Sequence, residues 1–269
     1  MPDLTGSIRN WTLSHRNGAT MVAKSRQAES QREEVDIRCK RALADRRPTV
    51  TVSMAGNTFV IAQQPCAFDT GLRVWGASEA LAALISTARR GRLSQMSGRR
   101  VCELGAGCGV SGMACAVRGA QVTFTDQPHM VAHLRKNVEA NLALESDASV
   151  VGFTWGSSPS EAGLKPPYDF VIAADPLVSE EVLVPLSDSL LRLCGSHSVA
   201  VISCEARDSA LLTNFNQHLR TLFASVDFVT RRTLRRAIAT SGTSANHTSL
   251  EDWVTIAVCS RLRPAPIAA

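Results

Sequence analysis

The 269-residue sequence has no C-x-x-C pair, no internal repeat and no apolar run near the roughly 20 residues that span a bilayer. Each absence removes a class of protein. Eight cysteines are present, Cys39, Cys66, Cys102, Cys108, Cys115, Cys194, Cys204 and Cys259. Their spacing fits neither a structural zinc site nor a disulfide framework. Several lie inside apolar runs, Ser198–Cys204 and Trp253–Cys259, where a free thiol behaves as a small hydrophobe. That usage is expected in a reducing compartment. Without a membrane-length run, a soluble protein is expected, with no membrane partner. Aromatic residues make up only 5% of the chain. None is interleaved with the two arginine clusters, Arg89, Arg90, Arg92, Arg99 and Arg100, and Arg231, Arg232, Arg235 and Arg236. A single-strand nucleic-acid binder needs such stacking platforms. The net charge of +5 therefore reads as solvated faces, with nucleic acid a disfavoured partner.

What is present suits one α/β domain with extensions. The chain is 45% hydrophobic and 20% charged, enough apolar material for a real core. The first 28 residues carry Arg9, Arg16, Lys24 and Arg26 against only Asp3. That composition fits a disordered tail or an organellar transit peptide, and the tail is the expectation. The expected location is accordingly cytoplasmic, with mitochondrial as the alternative. Residues Thr49–Ile61 alternate apolar and polar on each side of Gly56-Asn57, which predicts a β-hairpin. Ser78–Arg90 repeats Leu81, Leu84 and Ile85 at helical spacing. From Arg100 onward strands and helices alternate. The strands expected are Val101–Leu104, Gln121–Thr125, Val150–Thr154, Phe170–Ala174, Val199–Ser203, Val226–Thr230 and Trp253–Cys259. The helices expected are Gly109–Val117, His129–Asn141, Glu180–Leu193 and Ser209–Phe223. This order implies a doubly wound, mostly parallel seven-stranded sheet. No helix is evident between the last two strands, so a terminal hairpin with an antiparallel edge strand is expected.

The stretch with chemistry is Val101–Gly109, VCELGAGCG. A strand ends in Glu103 and Leu104, then Gly105, Gly107 and Gly109 lead into a helix. Glycines let the chain turn sharply and let a ligand approach the backbone, while the helix aims free N–H groups into the turn. Residues Gly107–Gly112 also read G-x-G-x-x-G, with Asp126 closing the second strand where it can bind ribose hydroxyls. A dinucleotide and S-adenosylmethionine both carry that ribose. Glu103 would repel a pyrophosphate and would suit the ammonium and sulfonium cations of S-adenosylmethionine. The turn therefore points to S-adenosylmethionine, with a nicotinamide-dependent oxidoreductase as the rival.

These motifs, with Gly71-Leu-Arg-Val-Trp75, Val122–Asp126, Asn137 with Asn141, Trp155-Gly156 and Tyr168–Asp175, resemble the class I (seven-β-strand) methyltransferases. Within that class the chain is similar to the family-16 protein methyltransferases, mostly protein-lysine N-methyltransferases, from about Val50 to Cys259. The resemblance implies a Rossmann-like methyltransferase fold with an N-terminal β-hairpin, and a domain over residues 48–262. Residues 1–47 would then form an N-terminal extension and 263–269 a C-terminal tail. It also implies that Gly105, Ala106 and Gly107 line the methionine part of S-adenosylmethionine and that Asp126 binds its ribose. Trp155 would contact the adenine, Trp75 would close the pocket, Ala174 would touch the cofactor, and Asp175 would stand at the mouth beside the target amine. Asn137 and Asn141 would fix their helix. The implied reaction is methylation of a lysine in a partner protein by a chain expected to be monomeric. Asp175 would bind the ammonium, and the proton would leave to water or to Glu180. One position departs from the family pattern. The family shows Asp-x-x-Tyr after the fourth strand, and here the run is Asp175-Pro-Leu-Val178. A non-catalytic S-adenosylmethionine-binding module is the competing reading, together with a methyltransferase acting on nucleic acid or a small molecule.

Overall fold

The computed structural model describes residues 47–54, 56–64, 70–242 and 249–263, so the expectations for the N-terminal extension and most of the C-terminal tail lie outside the described residues. The chain enters through the hairpin, strands β1 (Thr49–Met54) and β2 (Asn57–Ala62). Val50, Val52, Met54, Phe59 and Ile61 all point to the core, as period-two alternation requires. The register pairs Met54 with Asn57, so Asn57 is already a strand residue and Gly56, at φ 82°, turns the chain. Helix α1 (Gly76–Thr87) follows. It is rich in alanine and buried on most sides, which lets it lie close against the sheet.

The main sheet has strands β3 (Arg100–Leu104), β4 (Gln121–Asp126), β5 (Ala148–Gly152), β6 (Tyr168–Ala174), β7 (Cys194–Glu205), β8 (Phe223–Phe228) and β9 (Val254–Leu262). Their spatial order is β5-β4-β3-β6-β7-β9-β8. All neighbours are parallel except that β9 runs antiparallel to both β7 and β8. The antiparallel strand expected at this end of the sheet is thus β9, one place in from the edge that β8 forms. The connecting helices are α2 (Val110–Ala116), α3 (Val131–Asn141), α4 (Leu183–Leu193) and α5 (Ser209–Leu222). Alternate strand residues feed two cores. Val101, Phe170, Ile172 and Val201 join α1, α2 and the hairpin on one face, while Cys102, Leu104, Val171 and Ile202 meet α4 and α5 on the other.

Two sequence expectations are corrected. Strand β7 is longer than Val199–Ser203 at both ends. A helix does separate the last two strands: α6 (Arg231–Ser241), capped by the Thr230 hydroxyl accepting from the Thr233 N–H, with a short turn of helix α7 (Leu250–Trp253) after it. Only Leu234, Ala237 and Ser241 of α6 are buried, so its apolar stripe is too narrow to stand out beside four arginines. Among the described residues no helix is long and apolar enough to cross a membrane.

Candidate active site

Strand order reverses at β3, which lies between β4 and β6, and a crevice opens outside the carboxyl ends of the strands at that point. The loop after β3 forms its floor. Gly105 has φ 65°, and a Cβ there would sit 2.8 Å from the Trp155 indole. Gly107 has φ 54°, and a Cβ there would sit 2.9 Å from the Gly71 carbonyl oxygen. Both positions need a residue that turns left-handed and has no side chain. Gly112 closes the pattern for a different reason: a Cβ there would collide with Phe124 at 2.3 Å and Glu103 at 2.4 Å, so helix α2 can approach the sheet only without one.

Asp126, at the end of β4, ties the loop down. Its Oδ2 accepts from the Gly107 N–H at 2.6 Å, and its Oδ1 accepts from the Gln127 N–H at 2.7 Å. A carboxylate oxygen can accept more than one hydrogen bond. The Ala106 N–H donates to the Thr125 carbonyl at 2.9 Å, holding the loop against the neighbouring strand.

The crevice encloses about 330 Å³, within the range of small-molecule sites. Gly105, Ala106, Gly107, Asp126, Trp75, Trp155, Ala174 and Asp175 all line it. Phe153, Met130 and Pro185 add apolar wall beside Trp155, the surroundings a purine face needs. Trp75 is held by its indole N–H donating to the Thr70 carbonyl at 2.7 Å. The segment carrying it is fastened to the hairpin. The Gln64 N–H donates to the Leu72 carbonyl at 3.0 Å, and the Gln63 side chain accepts from the Val74 N–H at 2.8 Å. The hairpin is held in turn by α3. Asn137 accepts from the Ala62 N–H at 2.9 Å and donates to the Ala62 carbonyl at 3.1 Å, while Asn141 does the same to Val60 at 2.7 and 3.0 Å. Four residues of helix rise about 6 Å, close to the advance of two strand residues, so the two asparagines act as a ladder partner for β2.

Glu103 is a correction. It is buried and absent from the cavity wall, and its Oε2 accepts from the Gly112 N–H at 3.1 Å. Strand alternation turns the side chain away from the crevice and under helix α2, where it braces the helix start. Burial pushes its carboxyl up to about 8, with the Asp126 charge adding to the rise and the Gly112 amide opposing it. Cys108 does line the crevice, but burial pushes its thiol up to about 12, so it is no nucleophile at neutral pH.

Asp175 also differs from expectation. It occupies the mouth, but its carboxylate is only 5% exposed and forms an ion pair with the Arg207 guanidinium. Its Oδ1 accepts from the Glu205 N–H at 3.2 Å, and its own N–H donates to the Ser203 carbonyl at 2.7 Å. Its φ of 57° is left-handed, which aspartate tolerates at a cost of about 1 kcal/mol. Arg207 lies over the Trp75 ring, 4.7 Å from its centroid, and its Nε contacts the Glu205 carboxylate at 3.2 Å. Glu205 also receives the amides of Gly76 and Ala77 at the start of α1, and burial raises its carboxyl against those bonds. Sequence reasoning missed Arg207 and Glu205. The available signal was Glu205-Ala-Arg207 at the end of the fifth parallel strand. Val178, where the family has tyrosine, lines the mouth and is 57% exposed, and Glu180 is exposed and off the cavity wall.

A family model described as lysine methyltransferase matches residues 54–221. The chain is 33% identical over 177 residues to protein N-lysine methyltransferase METTL21A of Mus musculus, covering 62% of this chain and 77% of that protein. It is 31% identical over 134 residues to EEF1A lysine methyltransferase 3 of Xenopus tropicalis, covering 50% of this chain and 59% of that protein. Among solved structures it is similar in fold to the T. thermophilus 16S rRNA N2 G1207 methyltransferase RsmC in complex with AdoMet and guanosine. The TM-score there is 0.53 at 17% identity, over 79% of this chain and 50% of that one. With more than half of its length matched by the family model, from the hairpin through α5, this chain belongs to the lysine methyltransferase family.

Proposed function

We propose that the crevice at the β3–β6 reversal holds S-adenosylmethionine, and that the methyl group passes at its Asp175 mouth to a lysine of a partner protein. The observation that carries this reading is the pair of side-chain-free positions, Gly105 under Trp155 and Gly107 against Gly71, with the Asp126 carboxylate between the loop and the ribose position. Bound there, the cofactor supplies an electrophilic methyl on a cationic sulfur. The chain's own residues bind, orient and keep water out. Asp126 accepts hydrogen bonds from the ribose diol. Trp155, Phe153 and Met130 take the adenine face. The loop backbone from Gly105 to Gly107 lies along the methionine part, and Trp75 closes over it. Transfer forms an N–C bond as the C–S bond breaks, and the amine must surrender a proton, which leaves through the open mouth to water. EEF1A is the first acceptor to test, because the Xenopus tropicalis relative is named for it.

The reading is tested by incubating the protein with methyl-labelled S-adenosylmethionine and a cell lysate, then dividing the product between protease and nuclease. Label that is lost to protease, survives nuclease and appears as methyl-lysine after acid hydrolysis is expected. Label in nucleic acid, or binding of the cofactor with no transfer, would overturn it.

A further inference from the structure

A cation stands directly behind the mouth of the crevice: Arg207 is off the cavity wall, but Asp175 and Trp75, which line it, both contact the guanidinium. Arg207 pairs with Asp175, lies on the face of Trp75 and touches Glu205, so it bridges the carboxylate that faces the acceptor and the ring that covers the donor. Its side chain is 27% exposed while that of Asp175 is 5% exposed, so the carboxylate reaches solvent largely past the guanidinium. An entering lysine therefore meets a neutralised pair instead of a bare negative charge. Methyl transfer needs the nitrogen lone pair, which the ammonium form lacks, and free lysine side chains hold their proton up to a pKa of about 10.4.

We propose that Arg207 is a positioning residue for the acceptor: by neutralising Asp175 from the face of Trp75, it makes the mouth receive the target lysine as the free amine in preference to the ammonium ion. The proposal rests on the crevice being the transfer site. The other charges around this point come from several elements. Arg73, which precedes α1, and Asp126, from the end of β4, line the same cavity with opposite sign. Glu205 at the end of β7 contacts Arg207 and is committed to the first amides of α1, and the buried Glu79 of α1 acts on Glu205 as a like charge. Cys108 contributes a neutral thiol. A lysine near Arg207 gains nothing from keeping its proton. With the guanidinium removed, Asp175 becomes an unpaired carboxylate beside the amine, and an opposite charge at that range favours the protonated form by about one pKa unit or more.

The test uses n-butylamine as the probe, a lysine side chain without its backbone, titrated by ligand-observed NMR from pH 7 to 9.5 with and without S-adenosylhomocysteine. In the wild type, apparent affinity is expected to rise about tenfold per pH unit, following the fraction of free amine. Arg207→Gln is expected to bind the butylammonium ion at pH 7 about tenfold more tightly than the wild type, with affinity flat in pH. Arg207→Lys, which keeps the charge, is expected to restore the rise. Thermal melting checks that each variant is folded, and Arg207→Met repeats the comparison should the glutamine variant fail. A wild-type affinity that is flat in pH overturns the proposal without any variant. So does an Arg207→Gln profile that parallels the wild type, or an Arg207→Lys profile that stays flat. Failure of S-adenosylhomocysteine to bind the wild type would instead sink the reading of the crevice, and the amine titration alone would still decide the role of Arg207.

Discussion

Replacing Asn137 by alanine probes the link between the hairpin and the cofactor loop. The side chain is 1% exposed and makes two hydrogen bonds to one residue, accepting from the Ala62 N–H and donating to its carbonyl. A neutral hydrogen bond contributes a net of about 1 kcal/mol, and the loss of both comes to about 2 kcal/mol. Ala62 itself is exposed, so water can reach its freed backbone groups and the cost stays well below that of two stranded buried polar atoms. In a domain of this size about 2 kcal/mol lowers the melting temperature by about 4–8 °C. Asn141→Ala, at the more exposed pair, should cost less than half as much. Because β2 runs on through Gln63 and Gln64 to the segment that carries Gly71 and Trp75, the Asn137 variant should also bind S-adenosylmethionine several-fold more weakly. Calorimetric melting and titration measure both. If Asn137→Ala melts within about 1 °C of the wild type, the ladder contributes nothing and the reasoning fails.

Other perturbations separate the remaining roles. Asp126→Ala removes the acceptor aimed at the ribose and one anchor of the loop, and should weaken S-adenosylmethionine binding by roughly 1–3 kcal/mol by calorimetry; unchanged affinity would take Asp126 out of the site. Asp175→Asn keeps a residue that tolerates the left-handed backbone and removes only the charge, so labelled methyl transfer should be lost while cofactor affinity stays within about twofold; a collapse of cofactor binding would contradict its place on the acceptor side. The Glu103 carboxyl is raised by burial from 4.5 to about 8, so the folded state holds this proton more tightly than the unfolded chain. That contribution is full below pH 4.5 and is lost as pH rises toward 8. The neutral amide of Glu103→Gln should therefore stabilise the protein relative to wild type increasingly across that window, and a melting-temperature difference that is constant with pH would refute it.

The sheet was legible because its strands are short, β-rich and separated by glycine turns and amphipathic helices. The cofactor side of the site was legible for a related reason. A left-handed loop that must pass under an indole and against a carbonyl can use little but glycine, and that constraint leaves a mark in the sequence. The acceptor side left none. Arg207 matters through a bend after β7 that brings it back over Trp75, 132 positions earlier in the chain, and no local pattern encodes that return. The two-residue step from Glu103 to Gly105 suggests a place beside the ligand, but Glu103 sits on the strand face that turns under α2, and its spacing to Gly112, on the helix it braces, carries that information. Helix α6 was hidden by its own arginines. Arg235 pairs with Glu251 at 2.9 Å and Arg231 reaches Asp252 at 3.8 Å, so the basic run in part faces the short acidic turn before β9.

The place of β9 has a consequence for how the chain reaches this state during synthesis. Strands β3 to β7 can zip together in parallel as they emerge, because each finds its neighbour already made. Strand β8 cannot, since its single ladder and the open flank of β7 both wait for Val254–Leu262. Until then two rows of unpaired amides and carbonyls face the solvent, one of them alongside the strand that delivers Arg207. The polypeptide therefore completes its acceptor corner last, and a nascent chain stalled before Val254 would present two adhesive margins to its neighbours.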